Sequence, residues 1–84
     1  MVVWLTKYSL TAGIFQLEGN FEEDGKYFSG HGVKNRYRYF VRKDDVFETK
    51  ELAEKDFEKR RLKKIAALQK KIEKLKIQKP KFDE

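Results

Sequence analysis

Ile14-Phe15-Gln16-Leu17-Glu18-Gly19-Asn20-Phe21-Glu22 alternates with a period of two, Phe15, Leu17 and Phe21 on one side and Gln16, Glu18, Asn20 and Glu22 on the other. Successive side chains of a strand point to opposite faces, so the pattern predicts a strand with one buried and one wetted face, the habit of antiparallel sheets. Gly19 interrupts the inward row, as a glycine does at a bulge or a tight bend.

Similar runs lie on both sides. Upstream, Val2 to Leu10 reads as a strand that sets Trp4, Thr6, Tyr8 and Leu10 on one face, with Thr11-Ala12-Gly13 turning the chain. Downstream, Asp24-Gly25 is a hairpin signal of the type I′ kind, which needs positive φ. Lys26 to Val33 follows as a third strand with Phe28, Gly30 and Gly32 on a common face. After a turn at Lys34-Asn35, Arg36 to Arg42 forms a fourth strand, placing Tyr37, Tyr39 and Val41 opposite Arg38, Phe40 and Arg42. Asp44-Asp45 ends it, and Val46-Phe47 adds a short edge strand. Such regularly spaced strands describe a meander.

Thr49 then has the chemistry of an N-cap, and Glu51 and Glu54 lie near the positive end of a helix dipole. No Gly or Pro follows until Pro80, and the intervening residues are strong helix formers. One helix from residue 50 to 77 is expected. Its apolar stripe is Ala53, Phe57, Ile65, Leu68, Ile72 and Leu75, with the stem of Arg61 covering the missing step. From Ile65 the steps fit two heptads with Ile at a and Leu at d, a combination that favours parallel dimers.

The fold class is therefore α+β: a four- or five-stranded antiparallel meander, with curling into a small barrel as one outcome, followed by one long C-terminal helix. A single domain spans 1–79, with sheet over 2–48 and helix over 50–77, and residues 80–84 form a disordered tail. The helix is expected to start across the apolar face of the sheet, with Phe57 meeting Phe15, Leu17 and Phe21. A 28-residue helix is about 42 Å long, whereas a seven-residue strand spans about 23 Å. The sheet is too short to shelter the whole stripe, so Ile65 to Leu75 needs another cover.

Composition narrows the function. Among 84 residues there is no cysteine and one histidine, His31, so neither a disulfide framework nor a Cys- or His-based metal site can be assembled within one chain. Gly30-His31-Gly32 lacks the third glycine and the Walker lysine of phosphate loops. The acids Glu22, Glu23, Asp24, Asp44 and Asp45 are explained by turn chemistry. These readings favour a non-enzyme without metal or cofactor. Neither a signal peptide nor a membrane span is visible, and a soluble, cytoplasmic protein is expected.

The net charge of +6 is unevenly spread. Residues 1–58 hold nine Lys and Arg against eleven Asp and Glu, whereas 59–81 hold eleven against Glu73 alone. A basic run on this scale points to an acidic protein, a phosphate backbone or a membrane surface as partner, or simply to a solvated face. Lys59, Arg60, Lys63, Lys64, Lys70, Lys71 and Lys74 are the candidate contacts for such a partner. Arg36, Arg38 and Arg42, interleaved with aromatics, are candidate contacts on the sheet, where base stacking would be the alternative to a plain amphipathic strand. Ile65, Leu68, Ile72 and Leu75 are the candidate self-association residues, giving a homodimer through the helix.

Two stretches, Thr6-Lys7-Tyr8-Ser9-Leu10-Thr11-Ala12-Gly13-Ile14 and Phe47-Glu48-Thr49-Lys50-Glu51-Leu52-Ala53 with Arg60-Arg61-Leu62-Lys63-Lys64-Ile65-Ala66-Ala67-Leu68, resemble small uncharacterised proteins of bacterial genomes and prophages. The resemblance implies a bacterial or phage origin and a sheet followed by a helix, and it carries over no site residue. The functional expectation is a structural or interaction protein whose basic amphipathic helix mediates self-association or partner binding. Non-sequence-specific nucleic-acid binding is the alternative.

Overall fold

The computed structural model describes residues 1–82. Five strands, β1 (Val2–Leu5), β2 (Phe15–Phe21), β3 (Tyr27–Gly32), β4 (Arg38–Arg42) and β5 (Val46–Phe47), precede one helix, α1 (Lys50–Ile77). All neighbouring strands are antiparallel, in the order β4-β3-β2-β1-β5. The sheet is open: β4 and β5 form its two edges and no bond closes it into a barrel.

Register explains which side is apolar. Val46 pairs with Leu5, Leu5 with Phe15, Val3 with Leu17, Leu17 with Gly32 and Phe28 with Val41. Because directly paired residues share a face, these side chains make one layer, and Val3, Leu5, Leu17, Phe28, Val41 and Val46 form the core. Phe15 and Tyr39 pack against it, their rings 5.5 Å apart.

β1 stops at Leu5, five residues short of its expected end. Beyond it the Tyr8 carbonyl accepts from the amides of Thr11, Ala12 and Gly13 at 3.1, 2.8 and 3.2 Å, curling the chain before β2. Thr6 and Ser9 are buried while Tyr8 and Leu10 are exposed, so the expected common face of Thr6, Tyr8 and Leu10 is broken up by the turn. Phe21 is also outside the core: it sits edge-on against Phe28, with ring centroids 5.2 Å apart, at the far end of β2.

Gly19 is not a bulge, since it pairs in register with Gly30. A Cβ at either position would run into the opposite strand's backbone, Ser29 or Glu18, so the two strands approach where neither bears a side chain. The Asp24-Gly25 turn is not type I′ either. Gly25 has φ 69°, whereas Arg36 is the only non-glycine with positive φ among the described residues. Asp24 instead accepts from the Lys26 amide at 2.9 Å.

Thr49 caps α1, its hydroxyl accepting from the Leu52 amide at 3.2 Å. The helix runs unbroken to Ile77, and 78–82 carry no regular structure. Of the expected tail, residues 83 and 84 lie outside the described ones. The helix meets the sheet chiefly through β5 and β1, not β2, and buries Ala53 completely. The helix thus docks at the β1–β5 end, whereas the expectation places it, through Phe57, on Phe15, Leu17 and Phe21 of β2. The molecule is 60 Å long and under 30 Å in its other dimensions, because the helix outruns the sheet.

Candidate functional site

The root of α1 is held by a cluster of polar side chains. The Thr6 hydroxyl donates to Asp56 Oδ2 at 2.6 Å, with the Asp45 carbonyl 3.2 Å away as a second acceptor. Arg60 Nε donates to the same Asp56 oxygen at 2.6 Å, and Arg60 Nη2 to Asp45 Oδ1 at 2.7 Å. The residue just past β1 is Thr6, the short 3₁₀ turn Lys43–Asp45 brings Asp45, and the i, i+4 spacing on the helix brings Asp56 and Arg60 together. Partial burial disfavours the Arg60 guanidinium, but its bonds to Asp45 and Asp56 outweigh that and raise its pKa further. Arg60, a candidate for contact with an outside anion, is thus engaged by two carboxylates of its own chain.

Arg61 stands at the missing step of the apolar stripe and is exposed. It turns to the exposed Glu58, donating from Nε at 3.1 Å and Nη2 at 2.9 Å. The bond to Arg61 holds the Glu58 carboxyl below the usual glutamate range.

Past this point the turn over 7–11 still lines a cleft with Lys63, Lys64 and Ala67, and beyond it the helix projects from the sheet. Exposure climbs from 39% at Ile65 through 45% at Leu68 and 51% at Ile72 to 68% at Leu75, tracing its departure from the sheet. Lys59, Lys63, Lys64, Lys70, Lys71 and Lys74 are exposed on the same segment. In heptad terms the stripe occupies a and d, and the flanking e and g positions are Gln69, Lys76, Lys64 and Lys71. An apolar line bordered by cations, on a helix fixed at one end, can seat an amphipathic partner along its length.

The outer face of the sheet is the second candidate. Arg38 pairs with His31 and Arg42 with Tyr27, while Tyr27 and Phe40 stack at 4.9 Å with their planes 12° apart. Phe40 is 62% exposed and Tyr37 69%, so only Tyr39 of the three β4-region aromatics contributes to the core. Arg36 does not join Arg38 and Arg42: its φ of 60° puts it in the turn before β4. Glu22, Glu23 and Asp24 line the same cleft as Tyr27 and Phe40 and oppose an approaching phosphate.

Among the described residues no group of three or more His, Cys, Asp and Glu is placed to hold a metal ion, and no helix is long and apolar enough to cross a membrane. Comparison with protein-family models, curated proteins and solved structures finds no match to this chain.

The Thr6-Asp45-Asp56-Arg60 cluster was the principal feature beyond sequence reasoning. Its local half, the i, i+4 pair of Asp56 and Arg60, was visible in the sequence. Its other half joins residues up to 50 positions apart, with no local pattern to announce them.

Proposed function

We propose that this chain is a non-enzymatic interaction protein in which the small sheet anchors a long basic helix, and the projecting half of that helix binds a second copy or another protein. The observation that carries the reading is the row Ile65, Leu68, Ile72 and Leu75, 39–68% exposed along one line of a helix whose root is bonded to the sheet. Contiguous exposed apolar surface is costly to leave in water and generally marks an interface. The non-enzymatic reading is supported by the polar cluster at the helix root, since Thr6, Asp45, Asp56 and Arg60 are taken up in bonding one another. A cytoplasmic setting belongs to the same proposal, and a composition without cysteine suits a reducing compartment.

Amide chemical shifts followed over a protein dilution series at high salt test this. Shifts that move with concentration at residues 64–76, with the sheet unmoved, support the docking surface. Concentration-independent shifts there count against a second copy as the occupant.

A second reading has one observation in its favour, the exposed Tyr27–Phe40 stack beside Arg42, which offers a π-surface and a cation to a single-stranded nucleic acid. Oligonucleotide-induced shifts centred on Arg38, Phe40 and Arg42 would favour it, and the acids of the adjoining cleft weigh against it.

A further inference from the structure

The e and g positions of a two-stranded coiled coil line its seam and set partner choice by charge. On this helix they are Lys64, Gln69, Lys71 and Lys76, with no acid among them, and Glu73, the only acid between Lys59 and Ile77, falls at the outward b position. Two copies in parallel put Lys71 beside Lys76 of the second copy and Lys64 beside its Gln69. Antiparallel copies bring the Lys64 and Lys71 rows together instead. In both arrangements like charges meet and no opposite charge relieves them.

Other cationic-surface partners satisfy only half of the chemistry. A phosphate backbone would pair with the lysines and leave Ile65, Leu68, Ile72 and Leu75 in water. A membrane surface takes up a broad apolar face, whereas this stripe is confined to a and d and is cut off by Arg61, which is bonded to Glu58. An amphipathic helix with acidic flanks meets both demands at once.

We propose that residues 64–76 of α1 dock one acidic α-helix of another protein, in a two-stranded arrangement in which aliphatic side chains at its a and d meet the stripe and Glu or Asp at its e and g meet Lys64, Lys71 and Lys76. This rests on the stripe being a docking surface. The host helix is already formed and bonded at its root, so only the partner bears the cost of helix nucleation. That is how a seam of two heptads, marginal between two free peptides, becomes usable.

The protein can serve as its own acidic partner. Lys64→Glu/Lys71→Glu/Lys76→Glu keeps the a and d residues and reverses the flanks at exposed positions, and circular dichroism verifies that it stays folded. At low salt the mixture of this variant with wild type should associate roughly tenfold more tightly than either protein alone, by the usual scale of exposed charge pairs. The difference should shrink as salt rises, and Leu68→Glu in either component should abolish it. A mixture no tighter than wild type alone overturns the acidic partner while leaving the docking surface standing. No association of any combination at any salt removes the docking surface itself, and the proposal with it. An oligonucleotide or an anionic lipid vesicle that displaces the acidic copy from wild type at equal concentration also overturns the proposal, in favour of phosphate recognition.

Discussion

The hydroxyl of Thr6 donates to the carboxylate of Asp56 across 2.6 Å, a bond that closes 50 residues of chain and ties the first strand to the helix. Thr6 is fully buried, and Asp56 shares the same oxygen with Arg60. Thr6→Val keeps the shape and removes the donor, leaving a partly buried carboxylate short of a partner. Such losses cost about 1–3 kcal/mol, a large share of a small domain's stability. Urea denaturation should show the lower midpoint, and a double cycle with Arg60→Ala should be non-additive because both groups bond one oxygen. An unchanged midpoint for Thr6→Val would mean that this bond does not anchor the helix.

Gly19 and Gly30 face each other across β2 and β3 with no room for a Cβ on either. Gly19→Ala and Gly30→Ala should each destabilise at the upper end of the roughly 1–3 kcal/mol typical of overpacking, since backbone atoms are the obstacle. Gly13→Ala meets open space and suffers only the strain of φ 92°, so thermal unfolding should rank it as milder.

Ser9 carries a buried hydroxyl with no hydrogen-bond partner among the described residues. A buried polar group left unpaired opposes folding, and Ser9→Ala removes the group without opening a sizeable cavity. The variant should melt at or above the wild-type temperature. A clear fall would show that the hydroxyl does have a partner in solution.

Glu58 titrates below the usual glutamate range because Arg61 bonds its carboxylate. A lowered folded-state pKa means that the pair stabilises the helix above the unfolded glutamate pKa, and that this contribution is lost as pH falls through the lowered value. Arg61→Ala should move the Glu58 side-chain carboxyl titration, followed by NMR, upward. The exposed position makes the effect on global stability small.

Much of the architecture was legible because it follows from local patterning. The alternation around Leu17, the Thr49 cap and the absence of breakers before Pro80 led to the sheet, the helix start and the helix length. The misplaced residues are those decided by distant contacts. Tyr8 and Leu10 fit a strand as well as a turn, and the chain turns just past Thr6, which is bonded to the distant Asp45 and Asp56. Phe21 completes an ideal alternation, yet the helix docks at the β1–β5 end and leaves it at the margin. Arg60 and Arg61 are neighbours in one basic run, and only their carboxylate partners separate an anchoring arginine from a surface one. The stripe from Ile65 to Leu75 was legible because a helix of known length had no strand long enough to cover it.

Sedimentation equilibrium of wild type beside Leu68→Glu, at high protein concentration and high salt, tests the docking surface most directly. Screening lets two lysine-flanked stripes meet, so wild type should gain mass with concentration, more at high salt than at low, while Leu68→Glu stays monomeric. Equal, concentration-independent monomer masses for both proteins at every salt would contradict self-association through the stripe, and masses that stay monomeric when wild type is mixed with Lys64→Glu/Lys71→Glu/Lys76→Glu would contradict the docking surface itself.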